Sequence, residues 1–495
     1  MHTKKQTEVF KRAGIIALAA VLLSGTPVSA ATTAEKPALL AGQEKIPAVH
    51  GAKKDTIKLK GTKGKNASEV AAIKKIFRQQ KEFARWVANQ SDYGYRLITD
   101  LNSELYGWNK KGRLTRIGMK DGDGSASPWS YFEGKVSFSA FPELRVLILY
   151  GNELTELDIS KNKKLTTLCC MECGLKTLDV SRNTKLTELK CYANPLTRLD
   201  ISKNINLTEL DCMDCELKTL DVSKNTKLIN LYCCRNRLKS LNLKKNTELK
   251  TLRCDDNKLK TLDVSRNTKL TELGCIECGL TSLDVSSNTS LMNIYCNINR
   301  LKTLNLGSNT KLESLRCDTN NLTTLDVSKN TGLKSLLCDK NSLESLDISK
   351  NIKLTELNCG SNQLTALDTG NCPMLKTLYC YYNQLTELNI EGNTELTEFG
   401  CGKNQLSALD VSKNSKLQYL SCVYNKLTEL DIRNNTELTE LFCCDNELTA
   451  LDISNNAKLE YLDCSNNKFT TLDTSGCPVL RKIIWGNGDE EEIFY

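Results

Sequence analysis

The sequence predicts a mainly β solenoid, a horseshoe or superhelix built on a parallel sheet and opened by a short helical cap. From Leu144 to Leu480 a leucine returns every 21 residues without a slip. Between those leucines one pattern, Leu-x-x-Leu-x-Cys-x-x-Asn-x-Leu-x-x-Leu-Asp-Val-Ser-x-Asn-x-x, recurs about sixteen times. A unit that short cannot bury its own apolar face and has to stack on copies of itself. Its fourth and sixth positions are apolar and two apart, as are its fourteenth and sixteenth; Leu189 with Cys191 and Leu199 with Ile201 are examples. Such alternation predicts two short strands per coil, each paired with its copies in neighbouring coils. Sixteen coils at a strand spacing of ~4.8 Å would extend roughly 75 Å.

The elements follow in chain order. Residues 1–30 have the form of an export signal: Lys4, Lys5, Lys11 and Arg12 precede an apolar run from Ala13 to Leu23, and Val28-Ser29-Ala30 offers small residues for cleavage after Ala30. A secreted or extracellular protein is expected, with surface association open. The apolar run is too short to span a bilayer, so the chain is not expected to be membrane-embedded. Residues 31–65 hold eight lysines against Glu35, Glu44 and Asp55, and read as a basic linker. Residues 66–143 form an N-terminal cap and an irregular first repeat. Asn66 with Glu69 suggests a capping box, and Val70, Ile73, Phe77, Ala84 and Val87 follow helical spacing over 66–90. Trp108, Leu114, Ile117 and Met119 then suggest an irregular first strand, interrupted by the glycine-rich insert around Asp121-Gly122-Asp123-Gly124. The repeats run over 144–479, and 480–495 make a C-terminal cap with an acidic tail, where Trp485 takes the cysteine position and would lid the core.

The net charge of +8 does not belong to the repeats. Residues 1–30 carry four basic and one acidic side chain, +3, and residues 31–65 add +5, which leaves the rest formally neutral. No nucleic-acid partner is expected of a repeat body without a net basic field.

Fifteen of the 23 cysteines occupy the sixth repeat position, five (Cys173, Cys215, Cys278, Cys372, Cys477) replace asparagines, and Cys169, Cys234 and Cys444 fall where side chains should point outward. A thiol is smaller than isobutyl yet apolar, so a ladder of them fills a thin core. Parallel Cβ vectors in adjacent coils hold the Cβ atoms further apart than the ~3.5–4.5 Å of a disulfide, so free thiols are expected. Two asparagine ladders, one from Asn194 to Asn467 and one from Asn162 to Asn456, would satisfy the inward backbone groups of the turns.

These residues resemble a known family, the leucine-rich repeat, in the nested bacterial form of the internalins. With cysteine at the sixth position, as in Leu417-Gln418-Tyr419-Leu420-Ser421-Cys422-Val423-Tyr424-Asn425-Lys426-Leu427, the pattern is similar to the cysteine-ladder internalins and covers 144–480. The resemblance implies an exported bacterial protein of adhesion or host contact that binds partners on its concave sheet. A Leu-Pro-x-Thr-Gly anchoring signal is absent from the sequence, so covalent wall attachment is not expected.

Catalytic chemistry has few candidates. The histidines are His2 and His50, both outside the repeats, so no histidine-based triad or zinc cluster is available there. The Cys-x-x-Cys pairs Cys170/Cys173, Cys212/Cys215 and Cys275/Cys278 read first as buried structural thiols, then as intra-coil disulfides, and last as metal or redox sites. Asp121, Asp123 and Ser125 begin like a calcium loop, but Phe132 stands where its glutamate would be. The fifteenth position is aspartate in thirteen of sixteen units, a row expected to accept turn N–H groups and to pair with Lys or Arg three residues on. No metal or cofactor is expected, and an enzyme of carboxylate chemistry ranks last among the functional readings.

The outward positions differ between coils and carry Tyr192, Tyr232, Arg253, Tyr295, Arg316, Tyr379, Tyr381, Tyr382, Tyr419, Tyr424, Phe442 and Tyr461. Tyr and Arg are enriched at binding hot spots, although aromatic residues also suit strands as such. A non-enzymatic scaffold binding a protein through its concave face is the first expectation, and a carbohydrate or cell-wall glycan module, with sugars stacked on the tyrosines, is the second. Tyr379, Tyr381, Tyr382, Tyr424 and Phe442 are expected side by side.

Overall fold

The computed structural model describes residues 59–79, 100–103, 105–118, 132–486 and 489–492. The expected leader, most of the basic linker, Ala84, Val87, Met119 and the Asp121–Ser125 segment lie outside the described residues.

The chain enters through helix α1 (Ala67–Gln79). Asn66 caps it, its Oδ1 accepting the Glu69 N–H at 3.1 Å. The reciprocal half of the expected capping box does not form. The Glu69 carboxylate is fully buried and turns instead to Arg113 Nε at 2.6 Å and the Leu114 N–H at 2.7 Å. One carboxylate thereby ties the helix to the first strands, because a buried charge has to be both paired and hydrogen-bonded. Val70, Ile73 and Phe77 are buried on the inner face.

The expected irregular first strand is an antiparallel hairpin, β1 (Tyr106–Trp108) and β2 (Leu114–Ile117). Gly112, in its turn, has φ +67° and packs directly on the Gly64 carbonyl, so a side chain there would collide with backbone. Next come β3 (Glu133–Ser137), β4 (Val146–Ile148) and β5 (Glu153–Asp158). β2 pairs in parallel with β4 and so joins the hairpin to the main sheet. From there β6 to β20 supply one three-residue strand per coil, from Thr167–Cys169 to Tyr461–Asp463. Parallel pairing holds a strict 21-residue register, with Leu189 facing Leu168 and Leu210.

The expected second strand per coil is a correction. The fourteenth to sixteenth positions are extended but unpaired as strands in the regular coils, and only β3 with β5 forms a second, two-stranded ribbon. The fifteenth-position aspartates close local turns there. Asp179 Oδ1 accepts the Ser181 N–H at 2.9 Å, and the same turn recurs at Asp200, Asp221 and onward to Asp473. Asp158 makes the same bond at the end of β5, so the turn is compatible with either arrangement. The expected ion pairs three residues on do not form; Arg433 meets Asp431 two residues away at 2.7 Å.

The asparagine ladders do as expected for the first row. Asn194 Nδ2 donates to the carbonyls of Cys170 and Cys191 at 2.8 and 2.9 Å, while its Oδ1 accepts from Cys173 and Leu175. In the second row Asn183 Nδ2 donates to Ile159 and Asn162.

All 23 cysteines are buried and free. Burial of Cys169, Cys234 and Cys444, expected to be outward, is a second correction. On a sheet with strands ~4.8 Å apart a short side chain is covered by its longer neighbours: the Cys234 thiol donates to Asp255 at 3.2 Å beside the Arg253–Asp255 pair. The thiols on the asparagine rungs bond across coils, Cys215 donating to the Cys191 carbonyl at 3.4 Å and Cys278 to the Cys254 carbonyl at 3.2 Å.

At the far end β21 (Lys482–Trp485) adds to β20, Trp485 packs against the core, and β22 (Asp489–Glu492) pairs antiparallel with β21.

Candidate functional site

The third, fifth and seventh positions of the coils make three parallel rows on the outward side of the main sheet, because alternate residues of a strand share a face. Tyr192 and Tyr232 stand half-buried near its N-terminal end, their hydroxyls pushed up by burial, Tyr192 to about 12. In the same coil as Tyr192, Lys190 bridges Glu188 and Glu209 at 2.8 and 3.1 Å.

Arg253 lies against the face of Tyr295, its guanidinium carbon 5.1 Å from the ring centre. Gly274, in the intervening coil, leaves the space. Asp255 at 2.7 Å and Glu272 at 3.3 Å complete a seat of two carboxylates and a ring. Arg316 stands 3.6 Å from Asp318, and Asp339 follows Asp318 one coil on. Burial, then the Asp318 charge, lifts the Asp339 carboxyl to about 7, and burial, with a smaller push from Glu209, lifts Asp211 to about 6.

The C-terminal coils hold the aromatic residues. Tyr379 was expected to be exposed and is buried: its ring covers Gly400 and its hydroxyl donates to Glu398 at 2.7 Å. Tyr381 covers Gly360 in the opposite direction. Rings follow one another from Tyr382 to Tyr381 (6.2 Å), Tyr379 (6.2 Å), Tyr419 (6.4 Å), Phe442 (5.5 Å) and Tyr461 (5.0 Å), mostly tilted or edge-on as aromatic quadrupoles prefer. Tyr424 lies in the eighth position of its coil, as Tyr382 does. It reaches Tyr382 through Lys403, whose ammonium lies 5.0 and 4.4 Å from the two rings.

The glutamates of the third position were missed from the sequence. Sheet register places Glu398, Tyr419, Glu440, Tyr461 and Lys482 in consecutive coils of one row. Alternation of carboxylate and ring was visible at every twenty-first residue, but its meaning depends on Phe442 filling the next row. Half-buried Glu440, between Tyr419 and Tyr461, has its carboxyl raised by burial and by the charges of Glu460 and Glu398.

A leucine-rich repeat family model matches residues 458–480. No curated protein matches the sequence. Among solved structures, the functional domain of InlJ from Listeria monocytogenes, which includes a cysteine ladder, is 36% identical, with 66% of this chain and 69% of that one covered at a TM-score of 0.57. A leucine-rich repeat protein of Leptospira interrogans is 22% identical over 65% of this chain and 91% of its own, TM-score 0.58. The plant peptide hormone receptor RGFR1, in complex with RGF2, is 19% identical over 78% and 74%, TM-score 0.55. The last two share the fold alone. Register, buried thiol ladder and the likeness to InlJ agree: the chain belongs to the leucine-rich repeat proteins, in their cysteine-ladder form.

Proposed function

We propose that this protein is an exported, non-enzymatic scaffold whose sheet face binds a protein partner, in internalin-like adhesion or host contact. On this reading residues 1–30 are removed and residues 31–65 link the cap to its surroundings. The observation that carries it is the aromatic strip from Tyr382 to Tyr461, in ring-to-ring contact on a face whose inner side is uniform. Packing the coils needs only the inward residues. Tyrosine and phenylalanine rings holding one another in place offer a large contact area with little side-chain entropy left to lose.

Crosslinking with the chain from residue 31, followed by recovery of bound protein, tests this. A partner held by the wild type and lost with Tyr381→Ala/Phe442→Ala is the expected result. Retention by the double variant would overturn it, and glycan-array binding that depends on the same rings would move the function to carbohydrate recognition.

A further inference from the structure

Arg253 shows how this sheet accommodates a cation. Its guanidinium has Tyr295 on one side, Asp255 and Glu272 as carboxylate partners, and Gly274 beneath. Lys482 repeats part of the pattern, with its ammonium 5.7 Å from the Tyr461 ring. Between these cations the face changes character. Around Glu440 the same ingredients are present, carboxylate and rings, yet no lysine or arginine of the described residues pairs with Glu440, whereas neighbouring Glu460 meets Arg481 at 3.2 Å and Glu398 accepts the Tyr379 hydroxyl. Tyr419 and Tyr461 flank Glu440 in the two adjacent strands, and Phe442, one row over on the same strand, touches both rings.

We propose that Glu440, Tyr419, Phe442 and Tyr461 form a seat for an arginine side chain of an extended segment in the protein partner. The proposal rests on the binding-face reading above and names the chemistry of its occupant. A carboxylate half-removed from water beside like charges gains most from a cation that also desolvates. Ring faces add attraction for a guanidinium, which is planar and weakly hydrated. An extended strand presents side chains to one face every ~6.6–6.8 Å. At that spacing the segment brings one side chain to the carboxylate of Glu440, beside the contiguous rings of Tyr419, Phe442 and Tyr461.

Fluorescence anisotropy with a labelled oligo-arginine peptide, and its neutral citrulline counterpart, tests the proposal on the chain from residue 31. Glu440→Gln and Phe442→Ala should each weaken oligo-arginine binding about tenfold or more. Glu437→Gln removes the same charge at an exposed pair with Lys458 and should leave binding unchanged. Matching thermal melts identify any variant that fails to fold, and the near-isosteric Glu440→Gln keeps the test open if Phe442→Ala does fail. Equal loss in Glu437→Gln and Glu440→Gln, or equal binding of the citrulline peptide, would overturn the arginine seat. A protein partner lost in Tyr381→Ala/Phe442→Ala but unaffected by Glu440→Gln would remove this inference alone and leave the binding face standing.

Discussion

Arg253 and Tyr295, 42 positions apart in the sequence, face each other across Gly274 with 5.1 Å between guanidinium carbon and ring centre. A Cβ on Gly274 would fall on Arg253 Nε and 2.8 Å from Asp255 Oδ1, so the contact depends on that glycine. Arg253→Ala leaves the buried Asp255 carboxylate without its charged partner, with only the Cys234 thiol and the Ile276 N–H still donating to it. A loss of ~2–4 kcal/mol in urea unfolding is expected. Asp255→Ala in the same chain should restore most of it, and a double variant as unstable as the single would contradict this account.

Every eighth position from Glu172 to Asn466 holds a left-handed backbone conformation without a glycine, and Ile298 is among them at φ +56°. A β-branched side chain is a poor occupant of that region, which Asn tolerates. Ile298 is exposed, so its side chain contributes little burial. Ile298→Asn should raise stability by ~1 kcal/mol, read as a higher urea midpoint. A lower midpoint would show that Ile298 packs in a way its exposure does not reveal.

Cys372 sits on the second asparagine ladder and reaches the Ile348 and Asn351 carbonyls only at 3.8 and 3.6 Å. Asn351 one coil earlier makes the equivalent bonds at 3.1 and 2.9 Å. Cys372→Asn should therefore stabilise by ~1 kcal/mol, whereas Asn330→Ala, which leaves the Leu306 and Asn309 carbonyls with only their turn N–H donors, should cost ~1–3 kcal/mol. Equilibrium unfolding of the two variants measures both signs.

The ladder thiols should be inert in the folded protein. Burial pushes Cys296, Cys359 and Cys422 to about 12, far above neutral pH, and thiolate is the reactive form. Mass spectrometry after labelling at neutral pH should find almost no modified cysteine before denaturation and all 23 after it. Recovery of most cysteines as disulfides would contradict the core described above.

Asp339 predicts a pH effect. Its folded value near 7 lies above the ordinary carboxylate value, owing to burial and to Asp318, against the opposing charges of Lys340 and Arg316. A raised acid binds its proton more tightly in the folded state, so its ionisation lowers stability as pH rises from ~4 to ~7, and the full penalty is present above 7. Asp339→Asn should raise stability at pH 8 by up to ~4 kcal/mol, read as a higher urea midpoint, and change it little at pH 4. A gain of equal size at both values would show that ionisation is not the cause.

The 21-residue spacing of leucine and cysteine determined the coil, its inward face and the parallel register, since a repeat that short has one way to bury its apolar positions. It also showed which outward positions vary from coil to coil. Tertiary structure decided what each of them does. Tyr379 and Cys234 lie in outward rows, yet both are buried, because cover on a sheet comes from side chains one coil away and 21 residues distant. The second strand of the regular coils did not form, since apolar alternation shows which side chains face inward and not which backbone groups pair. Glu440 is unremarkable in sequence; only the packing of Phe442 between Tyr419 and Tyr461 makes it a carboxylate among rings, since a charge acquires its environment from neighbours that the chain brings together in folding.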